Sequence, residues 1–480
     1  MGITGPRQPL VVASALLGAV VLGAGSMGSA VVTPMAWGTT SALIMGGTGH
    51  SLATPPDTVS YVEQFISATV DNYIAPSSTV SPSTGIPQGP YNGVAVITPE
   101  EASPTYGSLT VDESVALGLA ALHSCLTSTV CDYNQDVGSA APSPSDSLVV
   151  FGYSQSAVIA MLEKAQLAAE YAAGEGPAVS FVVVGDTKRP NGGLYARDPN
   201  GMFVPAVLGG GSTFGGAAPT DTQYSTVDVA LQYDGLADFP VNPLNLLAVV
   251  NAYVGMSLIH STYGEHSLTE QGIVDQGQYG DTHYYLIPTP VLPLLMPLQQ
   301  VPLVGSVLAD MLDAPLRVLV EAGYDRTTSP GQPTPFNLLY FPNPLKTTLD
   351  FLVAIPTGLD NGFEDVFGVR PFGTQRPGPY GVGGPDSDCD SADTAATSPT
   401  ATSTTVTSRG NPAAAGRTGR SATTPKGDVA EPDSITISKV VPPSRLSNRR
   451  TRSGSSSASS SASNASDSGG SGSSTGRSAR

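Results

Sequence analysis

Basic residues are scarce. Lys and Arg number 21 against 39 Asp and Glu in 480 residues, a formal net charge of −18. A chain so poor in positive charge lacks the footprint a polyanion needs, which argues against nucleic acid as a partner. The deficit is uneven. Residues 386–480 hold 11 Lys and Arg against 8 Asp and Glu, leaving 10 against 31 for residues 1–385. Charge of either sign makes up only 12% of the chain, while glycine (54) and proline (42) are abundant; that balance suits a loop-rich exported protein. Cysteine is nearly missing too. Three residues with no metal-ligand spacing offer no metal centre. Cys125 and Cys131 are close enough to close a small disulfide loop, the alternative being two reduced thiols at a helix end. Cys389 has no obvious partner. No internal repeat is apparent.

What is present centres on Ser147-Leu148-Val149-Val150-Phe151-Gly152-Tyr153-Ser154-Gln155-Ser156-Ala157. An apolar run stops at glycine, and an alanine-rich helical segment follows. Strand, sharp turn and helix are the setting of a nucleophile elbow, which lifts one hydroxyl beside the positive end of a helix. Ser154 is the candidate nucleophile; the plainer reading is a helix N-cap. Ser156 stands where the usual pattern has glycine, and is still small enough for the turn to close.

Upstream, Ser41–Met45 reads as a strand ending in Gly46-Gly47-Thr48-Gly49-His50. A Walker lysine and dinucleotide spacing are both missing, so no cofactor is expected. An oxyanion hole fits better, with the amides of Thr48 and Gln155 as its donors. His50 reads as a residue packed beside that loop. The spacing predicts helices over 57–73 and 109–125, the second with Thr110 and Glu113 as a capping box. Strands follow at 93–97, 148–151, 181–185 and 227–233. Strands alternating with helices predict an α/β fold, a parallel sheet flanked by helices. The last of these strands opens into Asp234-Gly235-Leu236-Ala237-Asp238. Asp238, set on the loop, is favoured as the acid; Asp234 would instead bond the turn's own amides. An apolar helix over 244–259 delivers His260, favoured as the base over His283, which reads as a strand residue, and His266, which reads as solvated.

At these residues the chain resembles a known family. Gly-Tyr-Ser-Gln followed by a small residue, Gly-x-x-Asp-x-Pro, and His-x-x-Tyr are similar to the cutinase-like serine esterases. Met45–Gly49, Gly152–Ser156, Tyr233–Pro240 and Leu292–Leu295 look more closely like the PE-PPE domain of mycobacteria and relatives, over about residues 40–375. The resemblance implies an α/β-hydrolase (cutinase-like) fold with a triad on Ser154, Asp238 and His260. It also implies activity on acyl esters, as an esterase or as an acyltransferase building trehalose-based envelope lipids. A catalytically inert, envelope glycolipid-binding protein on the same fold is the alternative.

Leu10 to Val32 is almost wholly apolar after Arg7, so residues 1–36 read as a signal peptide or membrane anchor, and both place the chain outside the cytoplasm. In place of a PE or PPE helical domain stands only this segment, which resembles the membrane-anchored acyltransferase branch. Residues 286–375 are apolar and broken by prolines, which predicts short helical pieces forming a lid, an acyl groove or ordinary core. Residues 386–480 are Ser, Thr, Ala and Gly with few large apolar side chains, and are expected to be disordered. Their cluster Arg445, Arg449, Arg450 and Arg452 reads as part of a solubilising tail or as a contact to anionic envelope lipids or polymer.

Overall fold

A computed structural model describes residues 40–80, 83–143, 145–204 and 214–385. The N-terminal apolar segment, Cys389 and the tail with its arginine cluster lie outside the described residues. Seven strands form one sheet: β1 (Thr40–Ile44), β2 (Tyr91–Ala95), β3 (Ser147–Tyr153), β4 (Val179–Val184), β5 (Thr226–Leu231), β6 (Val274–Tyr279) and β7 (Thr282–Ile287), in the order β2-β1-β3-β4-β5-β7-β6. Neighbours are parallel except β6, which returns antiparallel on β7. The sequence gives no hint of β6. Only Val274 of its six residues is buried, so it carries no apolar alternation. An edge strand needs none, because water serves its outer side.

Among the described residues five longer helices flank the sheet, α1 (Val59–Thr69), α2 (Val111–Thr127), α3 (Gln155–Glu170), α4 (Leu246–Leu258) and α5 (Gly305–Glu321), and a sixth, α6 (Pro344–Phe367), packs on α5. Side chains alternate across the strands, which makes two cores. In β3, Val149 and Phe151 join Ile44, Val184 and Val229 under Val62 of α1 and Ala309 and Val320 of α5. Leu148 and Val150 turn the other way, onto Leu43, Phe181 and Val183, under Val115 and Leu122 of α2 and Ile159 and Met161 of α3. Both faces are covered, as a parallel sheet requires, and each fully buried branched side chain contributes about 1.5–3 kcal/mol. The capping box of α2 is formed: Glu113 N–H donates to Thr110 Oγ1 at 3.3 Å and Thr110 N–H to Glu113 Oε2 at 2.9 Å. Cys125 and Cys131 are joined in a disulfide at its end.

The prolines of the last third do not limit it to short helices. α5 runs 17 residues through Pro315, and α6 runs 24 residues through Pro356. A mid-helix proline costs about 3 kcal/mol. Close packing of the two helices offsets it. A Cβ on Gly358 would lie 2.1 Å from Met311 O and 3.1 Å from Pro315 Cδ, so glycine lets α6 press against α5 beside that proline.

The parallel strands all point one way, so the turns after β1, β3, β4 and β5 gather at one edge of the sheet. That carboxyl edge is where open α/β sheets hold their sites.

Candidate active site

Ser154 follows β3 with φ +58° and ψ −114°, a conformation a side-chain-bearing residue adopts only under constraint. The neighbours supply the constraint. A Cβ on Gly152 would meet Ser156 O at 2.5 Å, so only glycine permits the turn. Ser156 does more than stay small: its Oγ accepts Tyr153 N–H at 2.9 Å and donates to Tyr153 O at 3.1 Å, stitching the elbow shut. Ser154 is 8% exposed, and its side chain makes no cap to α3, so the N-cap alternative does not describe it.

His260 reaches this hydroxyl from 106 residues away, with Nε2 2.7 Å from Ser154 Oγ. It stands where α4 ends and a 3₁₀ turn, His260–Glu265, begins. Tyr153 stacks on the imidazole with centroids 5.5 Å apart, and its phenol donates to His260 O at 2.8 Å. Gly185 leaves the room: at φ +65°, a Cβ there would sit 3.0 Å from His260 Cε1.

The acid beside the imidazole is Asp234, not Asp238. Asp234 Oδ2 lies 2.8 Å from His260 Nδ1, while Oδ1 accepts Leu236 N–H at 3.0 Å. Bonding its own turn and bonding the histidine are therefore not exclusive; each oxygen does one. Asp238 is turned elsewhere. It accepts Arg326 Nη1 at 2.7 Å and Nη2 at 3.0 Å, and Tyr233 N–H at 2.8 Å. The reason is local. The strand stops at Leu231, Tyr233 takes φ +67°, and Asp238 N–H closes back on Asp234 O at 2.6 Å. That single coil puts the second carboxylate against α5, where Arg326 also pairs with Glu321.

Tyr263 was not foreseen. Its hydroxyl donates to Asp234 Oδ2 at 2.9 Å and accepts Leu231 N–H at 2.9 Å. Burial first, and the Asp234 charge second, hold its phenol well above the ordinary value, so it remains a donor. The signal lay in His-x-x-Tyr, because residues i and i+3 eclipse on a 3₁₀ turn.

The loop after β1 lies against the nucleophile: a Cβ on Gly47 would be 3.6 Å from Ser154 Cβ. Within it, Gly49 N–H is used by Glu100 O at 2.7 Å and His50 N–H by Gly47 O at 2.9 Å. Thr48 is tied to the elbow, its Oγ1 accepting Gln155 Nε2 at 3.0 Å. Gln155 Nε2 also donates to Glu101 O, and Gln155 Oε1 accepts Ser114 Oγ at 2.7 Å. Gln155 opens α3, so its own N–H is one of the donors a helix leaves unpaired.

The remaining histidines stand apart. His283 is bonded to Asp275 at 2.7 Å and stacked on Tyr285, His266 is near Glu270, His50 is bonded to Asp57, and His123 is bonded to Glu163 at 2.9 Å.

Sheet order, elbow and the Ser–His–Asp chain define an α/β-hydrolase fold. Residues 89–325 match the PE-PPE domain. The chain is 38% identical over 336 residues to Esterase PE16 of Mycobacterium tuberculosis, covering 67% of this chain and 54% of that protein. It is 29% identical over 244 residues to Diacyltrehalose acyltransferase Chp2 of the same organism, covering 48% of this chain and 63% of that protein. The chain spans about half the length of the first of these relatives. A solved structure, a cutinase-like protein from Cryptococcus sp., is 15% identical at a TM-score of 0.23, over 48% of this chain and 96% of that one. The sheet and elbow, not that likeness, define the fold. The family includes esterases and trehalose-lipid acyltransferases.

Proposed function

We propose that this protein is an exported serine hydrolase or acyltransferase that works on acyl esters of envelope lipids through an acyl-enzyme. The observation that carries the reading is the unbroken chain Ser154 Oγ–His260 Nε2 at 2.7 Å and His260 Nδ1–Asp234 Oδ2 at 2.8 Å, set on a constrained elbow. As Ser154 Oγ attacks an ester carbonyl, its proton passes to His260 Nε2, and Asp234 stabilises the imidazolium. The amides of Thr48 and Gln155 receive the oxyanion, each worth about 3–4 kcal/mol in the barrier. His260 returns the proton to the departing alcohol, leaving the acyl group on Ser154. Water then completes hydrolysis; a sugar hydroxyl completes transfer. Which acceptor wins is set by how the acyl-enzyme admits water against a sugar hydroxyl. The names of the relatives span both outcomes.

The test is Ser154→Ala. It is expected to abolish turnover of p-nitrophenyl acyl esters and labelling by a fluorophosphonate. Undiminished labelling of that variant would sink the reading. Adding trehalose to the wild type during turnover, and finding acyl-trehalose among the products, separates transfer from hydrolysis.

A further inference from the structure

Helix α4 carries no charge and only two polar side chains, Asn251 and Ser257. Its inner face, Ala248, Asn251, Ala252 and Gly255, is buried. That face lies directly on the turn after β5: a Cβ on Gly235 would be 2.2 Å from Ala252 O, and one on Gly255 would be 2.0 Å from Tyr233 O. A helix with one face on the core carries polar residues on the other. Here the outer stripe is Leu246, Val250 and Tyr253, 71%, 54% and 56% exposed, at i, i+4 and i+7. Asn245 Nδ2 ties the start of α4 to Leu319 O of α5 at 2.8 Å. α5 likewise exposes Leu308 and Leu312, and the turn before it holds Leu303 at φ +72° and 99% exposed. A leucine held in water at positive φ is a backbone outlier, and such an outlier motivates a functional reading.

We propose that this face docks on a lipid surface of low charge. Three observations select that occupant. The chain beyond residue 385 has little apolar matter to match the face, since its 95 residues include seven large apolar side chains and no aromatic ring. A second copy is opposed by charge, because residues 1–385 carry 31 acidic against 10 basic side chains in each molecule. The same excess opposes an anionic surface, whereas a neutral or zwitterionic one meets an uncharged helix without penalty. Docking there also has a use for the site. α4 runs straight into His260, so the seated face lies one helix end away from the Ser154 hydroxyl.

The surface is independent of whether Ser154 is a nucleophile, so the test is made in Ser154→Ala. The chain has a single tryptophan, Trp37. Full-length Ser154→Ala, Trp37→Phe, Tyr253→Trp is mixed with phosphatidylcholine vesicles carrying brominated acyl chains. A matched variant places the reporter at Val130→Trp, 70% exposed beyond α2, the helix that covers the other core. Emission at 253 is expected to shift to the blue and to be quenched several-fold more than at 130, and less so when the vesicles contain phosphatidylglycerol. Equal quenching at both positions, or none at 253, overturns the proposal. So does blue emission at 253 without vesicles: growing with protein concentration, it means a second copy; independent of concentration, it means cover by another segment of the chain, such as 10–32.

Discussion

Asp234 and Asp238 sit four residues apart in one turn, both nearly fully buried, yet they face opposite partners. Asp234 meets an imidazole, a phenol and an amide; Asp238 meets a guanidinium held also by Glu321. The contrast is chemical. An imidazole gains and loses a proton near neutrality, so a carboxylate beside it is worth more when the ring is charged. A guanidinium keeps its charge throughout, so a carboxylate clamped by it has nothing left to lend. Reach along a loop is a poor guide to an acid's role; the partner's ability to change charge is a better one.

Asp234→Asn gives the sharpest break. The amide can offer its N–H where the imidazole needs an acceptor, so kcat on a p-nitrophenyl ester is expected to fall about 10⁴-fold in a folded protein. Asp238→Asn should do the reverse. It leaves Arg326 buried with Glu321 alone, at a cost of about 3 kcal/mol in denaturant unfolding, with kcat near the wild type wherever the protein is folded. If Asp238→Asn proves the more damaging to kcat, the two roles are exchanged.

A third buried carboxylate sharpens the comparison because it has no cation. Glu100 is fully buried; Oε1 accepts Thr98 Oγ1 at 2.8 Å, and among the described residues Oε2 has no partner. Burial pushes its acid up to about 8, with the Thr98 bond opposing. The folded protein thus keeps a proton that the unfolded chain gives up near the ordinary carboxyl value. Stability from this group is present at low pH and drains away as the pH rises to about 8. Glu100→Gln is expected to raise stability at pH 8 by about 4 kcal/mol and to flatten the fall in Tm between pH 5 and 8. Some slope should remain from Asp186, lifted to about 8 by burial and by Asp228. A Tm profile unchanged by Glu100→Gln would show that Glu100 is not neutral in the fold.

The elbow was legible because everything that makes it is adjacent in the chain: an apolar strand, Gly152, small Ser156, then a helix. The capping box on Thr110 and Glu113 was legible for the same reason. Asp234 was misjudged because β5 ends two residues earlier than its apolar run, a boundary that pairing with β7 sets and side-chain pattern does not. Helix α6 was hidden because a proline at 356 argues locally against it, while the compensation lies on α5. Strand β6 left no pattern, since a solvated edge asks for none. Contacts between residues far apart in the chain decided each of these.

Tyr263 closes the comparison with the smallest effect. Its hydroxyl is the second donor on Asp234 Oδ2, so it aims that carboxylate without touching the nucleophile. Tyr263→Phe removes this bond and leaves Leu231 N–H without the phenol it meets at 2.9 Å. We expect kcat to fall about 10-fold, the equivalent of one hydrogen bond to a charged group, with KM unchanged. Tyr73→Phe is the control. Tyr73 donates to Tyr263 O at 2.6 Å and holds the same turn one step further from the carboxylate. It should cost about 1 kcal/mol of stability and leave kcat alone. Equal losses of kcat in the two variants would mean that Tyr263 serves the turn as a whole rather than the acid.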